Sequence, residues 1–358
     1  EYAKKALYSL IDQLTSEDMV SIVIYDDIIN VLREAHRVGN KNDLKKIVHG
    51  IYPRGSTNLG GGMMEGFRQV ERNVGREYVN RVILLSDGLA NQGITDGHEL
   101  NRIARRYRAK SISLTTMGVG LDYNENLMVG LSENGGGNYY FIERPASLVS
   151  IVRKEFNMLS SVVAQNASIE LTLGNQVRIN DIIGCEYRAE SNRYIIPIGD
   201  LYSNDRREVT VELAVPEGSQ SFTVATGVLR FESRDWTDAF PSFSTVIRYS
   251  KDVAEIEKNR DMETQGKADV ALSTRHVDQA MKALDDGNQE EAQKALGEAA
   301  MSLGASPAAS QAGAGGAAIR SQLLKMESYK SILKDSASDA RKAKKSIQYD
   351  NYQTQKSK

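Results

Sequence analysis

The sequence predicts an α/β domain followed by an antiparallel β module and a helical C-terminal region. Three observations carry that reading. Short apolar runs of strand length (Met19 to Tyr25, Arg81 to Ser86, Ser111 to Val119, Asn138 to Ile142) alternate with amphipathic helical stretches, the pattern of a doubly wound sheet covered on both faces. From Asn166 to Glu232 apolar and polar residues alternate instead, as in half-buried antiparallel strands. From about Phe243 onward the spacing is helical.

Taken in order, Tyr2, Ala3, Ala6, Leu7, Leu10, Ile11 and Leu14 trace one helical face, so the sequence reads as starting inside a helix, with something upstream lost or left out. Ile28 to Leu32 reads as a companion strand and Leu44 to Val48 as a helix. Leu59 to Val74, Leu100 to Arg108, Asn126 to Ser132 and Ser147 to Val163 are the helices between and after the later strands. In the second part, Ile169, Leu171 and Leu173, then Val209, Val211, Leu213 and Val215, face one side of their strands. Several short strands without long helices point to a β-sandwich. Val277 to Leu284 and Glu290 to Leu303 form a helical hairpin around Asp285-Asp286-Gly287-Asn288, which must pack on neighbouring helices to bury its core.

The chain has 358 residues, enough for about two or three domains. Its 45 Lys+Arg against 47 Asp+Glu give a net charge of −2, which speaks against a nucleic-acid or membrane-surface partner. No apolar run approaches the roughly 18–20 residues of a membrane span. The single Cys185 excludes an internal disulfide framework and thiolate-rich zinc sites, and reads as a small core residue. Asn166-Ala167-Ser168 reads as a chance glycosylation sequon.

Catalytic motifs fail at the residue that would do the chemistry. Gly55 and Gly60 have phosphate-loop spacing, but Gly61 and Gly62 replace Lys and Ser/Thr. His98-Glu99 lacks a second histidine because Arg102 stands there; Gly130-Leu131-Ser132-Glu133-Asn134 lacks the last glycine of a nucleophile elbow. Asp122, Asn124, Asn126 and Glu133 match EF-hand ligand positions, but Leu127 replaces the turn glycine. The reading is non-enzymatic. Asp87, just past a strand end, and Gly55-Ser56-Thr57-Asn58, just before a helix, stand where α/β folds present ligand-facing groups. Taken singly, Thr57 also suits a helix cap and Asp87 a turn.

Three stretches together resemble the von Willebrand factor type A (VWA) domain: Arg54-Gly55-Ser56-Thr57-Asn58-Leu59, Leu84-Leu85-Ser86-Asp87-Gly88, and Thr116-Met117-Gly118-Val119-Gly120. Leu127-Met128 and Gly135-Gly136-Gly137-Asn138-Tyr139-Tyr140-Phe141 also match bacterial members, including those labelled calcium-activated chloride channel-like. The resemblance implies a Rossmann-like fold and a metal-ion-dependent adhesion site (MIDAS) that binds protein ligands. It implies that Thr57 and Asp87 are metal ligands, with Ser56, Asn58, Ser86 and Gly88 on the ligand-facing loops. The cation implied is Mg²⁺, or Ca²⁺ or Mn²⁺, with an open position for an acidic side chain of a partner protein. Ser86 stands where many members carry threonine.

The family's first metal loop, Asp-x-Ser-x-Ser, is found nowhere in the sequence; Asp335-Ser336-Ala337-Ser338 fails at Ala337. The resemblance therefore implies that the first central strand is absent from the chain; the favoured expectation is a longer natural form carrying the complete site, and the alternative is a degenerate or partner-completed domain. With Thr57 and Asp87 alone, stable metal binding is not expected. The organisation expected is a VWA domain over residues 1–165, a β-sandwich over 166–235 and a helical region over 236–303. An Ala/Gly/Ser-rich flexible linker (304–318), a C-terminal helix (319–346) and a solvated basic tail (347–358, with Lys342, Lys344 and Lys345 before it) complete it. A periplasmic or cell-surface setting is favoured over the cytoplasm, and the oligomeric state stays open. The rival expectation is a metal-independent scaffold pairing through the β-sandwich and helices, which exposure of Leu323, Leu324, Met326, Ile332 and Leu333 would favour.

Overall fold

The computed structural model describes residues 2–52, 55–75, 77–233, 240–335 and 340–356. Arg54 of the glycine-flanked motif, residues 336–338 and Lys358 lie outside the described residues. The chain divides into two compact units: Glu1–Ser168 with Pro197–Asp205 and Leu229–Phe240, and Ile169–Ile196 with Arg206–Val228 and Pro241–Lys358.

The first unit runs α1 (Tyr2–Gln13), β1 (Met19–Tyr25), β2 (Ile29–Arg37), α2 (Lys41–His49), α3 (Leu59–Glu71), β3 (Arg81–Ser86), α4 (Gly97–Arg108), β4 (Ser113–Val119), α5 (Glu125–Gly135), β5 (Gly136–Ile142) and α6 (Leu148–Leu159). The helices α2 to α5 each start on an Asn or Asp whose side chain accepts a first-turn backbone N–H: Asn40, Asn58, Asp96 and Asn124. β3, β4 and β5 form a parallel sheet in that order, with Arg81 level with Ser113 and Ser86 level with Gly118. β4 is buried from Ser113 to Gly118, as a central parallel strand must be. β1 and β2 form a separate antiparallel pair.

Helix α3 packs against both sheets. Gly62 lets it approach β1 closely, since a Cβ there would lie 2.5 Å from the Tyr25 ring. The same tyrosine donates its hydroxyl to the Leu85 carbonyl of β3 at 2.6 Å. Tyr25 is thus a side-chain tie between two sheets that share no ladder. Phe67 of α3 stacks on Tyr107 of α4 with ring centroids 4.3 Å apart.

At the start of β3 the unit buries charge. The Arg81 side chain is 3% exposed and holds Asp200 at 2.5 Å and Glu155 at 3.5 Å, acids that are 1% and 0% exposed. Glu155 also accepts from Thr115 at 2.5 Å and from Asn138 and Tyr140 at 2.8 Å each. Burial works against the Arg81 charge, yet Asp200, with Tyr202 and Glu155 adding, holds its pKa above the ordinary arginine value.

The remaining elements are β6 (Val162–Leu173), β7 (Arg178–Ile182), β8 (Arg188–Glu190), β9 (Arg193–Tyr202), β10 (Val211–Ala214), β11 (Phe222–Glu232), β12 (Ser242–Ile247), α7 (Val253–Lys258), α8 (Met262–Asp285), α9 (Gln289–Gly304), α10 (Ala314–Asp335) and α11 (Ala340–Gln355). β6, β9 and β11 contribute residues to both units. One sheet has the order β12-β11-β6-β9-β8; a second pairs β10 with β7 antiparallel. Leu171, Leu173 and Val224 of the larger sheet share a core with Ile179, Val211 and Leu213 of the smaller one, the packing of a sandwich. Helices α8 to α11 share another core, with Ala280, Ala283, Ala292, Ala295 and Ala299 at the α8–α9 contact. The hairpin turn uses Gly287 at φ +76°, and Asn288 caps α9.

Three local readings need correction. The stretch expected as a flexible linker buries Ala308 completely and enters α10 at Ala314. Its glycines serve close packing: a Cβ on Gly315 would lie 2.1 Å from the Met262 carbonyl oxygen of α8. The tail expected to be solvated is the end of α11, where Ile347, Asn351 and Tyr352 are buried and Asn351 donates to Asp278 at 2.7 Å. Of the five residues expected as an exposed helical pairing surface, Met326 and Leu333 are core and Leu323 packs against it, whereas Leu324 and Ile332 are exposed.

Candidate functional site

Three loops meet beyond the carboxyl ends of β1 and β3, at the start of α3. Asp26 follows β1; it is buried, and its Oδ1 accepts the Ile28 N–H at 2.7 Å. Its carbonyl accepts the Asn58 N–H at 2.7 Å, which fixes the loop before α3. Asn58 in turn caps α3 by accepting the Gly61 N–H at 2.9 Å. Asn91, from the loop after β3, clamps Thr57 from both sides. Its Oδ1 accepts the Thr57 N–H at 2.9 Å, and its own N–H donates to the Thr57 carbonyl at 3.2 Å.

That clamp brings Thr57 against the turn after β3. A Cβ on Gly88 would stand 3.1 Å from the Thr57 hydroxyl oxygen, so glycine keeps this approach open. Ser86 is buried and donates its hydroxyl to the Gly88 carbonyl at 3.0 Å, which tightens the turn. Asp87 is exposed. Burial raises the pKa of the Tyr25 hydroxyl and the Asp87 charge adds to it, while a hydrogen bond with Ser86 opposes the shift.

The sequence-predicted residues therefore separate by role. Thr57 and Asp87 sit on adjoining loops, and neither the Thr57 hydroxyl nor the Asp87 carboxylate has a hydrogen bond or ion pair among the described residues. Ser86 and Asn58 are committed to their own turns, Ser56 is half-buried, and Gly88 serves the close approach. Among the described residues no three His, Cys, Asp or Glu side chains are grouped to hold a metal. Sequence reasoning missed Asn91, Tyr25 and Asp26. Asp26 carries the signal that marked Asp87, a polar residue just past a strand; Asn91 lies in a Gly-Leu-Ala-Asn turn whose partner could not be foreseen.

Residues 1–154 match the von Willebrand factor type A domain. These residues are a VWA domain. The Escherichia coli (strain K12) protein YfbK is 26% identical over 186 residues, 52% of this chain and 31% of its own length. The Synechocystis sp. protein sll0103 is 26% identical over 180 residues, 50% of this chain and 42% of its own length. The chain thus spans less than half the length of the curated relatives it matches. The solved VWA protein of Catenulispora acidiphila superposes with a TM-score of 0.75 at 15% identity, covering 99% of this chain and 84% of that one. A fold like that of the whole chain, β sheets and C-terminal helices included, is therefore found in that protein.

Free hydroxyl and carboxylate oxygens are the donor types a hydrated divalent cation takes. Mg²⁺ takes six oxygens and commonly keeps several waters. Thr57 and Asp87 offer one free hydroxyl and one free carboxylate, whereas the Ser86 hydroxyl already donates inward. Among the described residues, no helix is long and apolar enough to cross a membrane.

Proposed function

We propose that this chain is a non-enzymatic protein-binding or assembly protein whose VWA domain meets its partner at the face carrying Thr57 and Asp87. The observation that supports this is the pair of free oxygens on adjoining loops, the Thr57 backbone being held by the Asn91 clamp. In this reading a divalent cation, Mg²⁺ or Ca²⁺ or Mn²⁺, is held by Thr57 and Asp87. It supplies a positive centre for an acidic side chain of the partner, with fuller affinity where an Asp-x-Ser-x-Ser loop adds its donors. A periplasmic or cell-surface setting belongs to the same proposal.

Titration of the chain with Mn²⁺, followed by electron paramagnetic resonance of the free ion, tests it. Weak binding that Asp87→Ala and Thr57→Ala both remove is expected; binding unchanged in both variants would sink the reading. The second reading, a metal-independent scaffold, keeps support from Leu324, 73% exposed on α10, and Met301, 69% exposed on α9. A chelator-insensitive complex lost on Leu324→Glu would favour it.

A further inference from the structure

The five-stranded sheet has two edges of opposite character. At one, β8 is three residues long, and its Glu190 is ion-paired with Arg188 at 2.9 Å and with Arg193 at 2.5 Å. Short length and charge are the usual protection of an edge against pairing with another chain. At the other, β12 pairs with β11 on one side and, among the described residues, with no strand on the other. Its sequence, Ser-Phe-Ser-Thr-Val-Ile, has no charge and no proline. Ser242 to Val246 are all exposed, Phe243 by 50% and Val246 by 59%. The one irregularity of its ladder falls on β11, between Thr223 and Ala225, so β12 keeps a regular alternation. Nothing in β12 blunts the edge.

We propose that β12 is a self-association surface, pairing antiparallel with β12 of a second copy of this chain about a two-fold axis at Thr245. A two-fold perpendicular to the sheet places like-facing side chains opposite each other, so it passes through a residue and not between two. Centred on Thr245, it sets Phe243 opposite Ile247 of the second copy and Thr245 opposite its own equivalent. Ser244 then meets Val246 on the other face. Aromatic with β-branched and threonine with threonine are favoured cross-strand pairs. Because β12 carries no charge, the axis brings no like charges together, which is what a self-complementary edge requires.

Sedimentation equilibrium of the full chain tests the proposal. Wild type is expected to dimerise in a concentration-dependent way. Thr245→Lys and Thr245→Glu, each placing like charges face to face across the axis, are each expected to weaken dimerisation by about tenfold. An equimolar mixture of the two variants is expected to recover the dimer, because opposite charges then face each other; a misfolded variant would not be rescued in this way. The proposal is overturned by a wild type that stays monomeric up to its solubility limit, by unchanged association of the variants, or by a mixture that shows no recovery.

Discussion

Replacing Arg81 with methionine removes a buried cation without leaving a hole of its length. The guanidinium lies 2.5 Å from Asp200 and 3.5 Å from Glu155, and all three side chains are nearly inaccessible to water. Glu155 would keep its hydroxyl and amide donors from Thr115, Tyr140 and Asn138. Asp200 would keep the Asn166 N–H at 3.1 Å and the Ser113 hydroxyl at 3.5 Å. Breaking a buried pair by removing one partner costs about 3–5 kcal/mol, because the stranded charge stays desolvated. At 2–4 °C per kcal/mol for a domain of 150–250 residues, that is a fall in Tm of roughly 6–20 °C. Urea unfolding followed by far-ultraviolet circular dichroism gives the free energy directly. Adding Asp200→Asn to Arg81→Met should recover at least half of the loss, since the stranded carboxylate is then gone. A cost under about 1 kcal/mol, the range of exposed pairs, or a double variant no better than the single one, would refute the reasoning.

Other outcomes follow from the same geometry. Asn91→Ala removes the side-chain half of the Thr57 clamp at 2.9 Å and should cost about 0.5–1.5 kcal/mol, with faster amide hydrogen exchange at residues 56–58. Gly315→Ala, whose Cβ would meet the Met262 carbonyl at 2.1 Å, should loosen the α8–α10 contact and cost about 1–3 kcal/mol as overpacking does; a flexible linker would tolerate it without change. The Tyr349 hydroxyl is raised from 10.0 to about 12, chiefly by burial, with Tyr352 adding. Its contribution is therefore complete below the unfolded value and is lost as pH rises from about 10 towards 12. Tyr349→Phe should move the alkaline unfolding of α11, read by circular dichroism, to higher pH.

The α/β part was legible because its signals are local. Arg81 to Ser86 and Ser111 to Val119 are runs that only a buried strand accommodates, and Asn or Asp stands before the helices α2 to α5. Thr57 and Asp87 were candidates because family spacing marks them. Asn91 was not, because it acts through the backbone of a residue 34 positions away. The linker and tail were misread because composition does not distinguish glycine for freedom from glycine for contact. A lysine-rich helix likewise looks solvated until its partners are known. Lys344 pairs with Asp285, Lys325 bridges to Asp350 at 2.9 Å, and Tyr329 donates to the same Asp350. Those partners come from other helices, so no window of sequence contains both halves.

The central claim is that the two free oxygens at Thr57 and Asp87 form the ligand-facing site of the VWA domain. Paramagnetic broadening of backbone amide signals by low concentrations of Mn²⁺ tests it most directly, because it reports position even where binding is weak. The account predicts broadening centred on residues 55–58 and 86–91 and reaching the adjoining residues 26–28, abolished by Asp87→Ala. Broadening centred elsewhere, or retained in full by that variant, would contradict it.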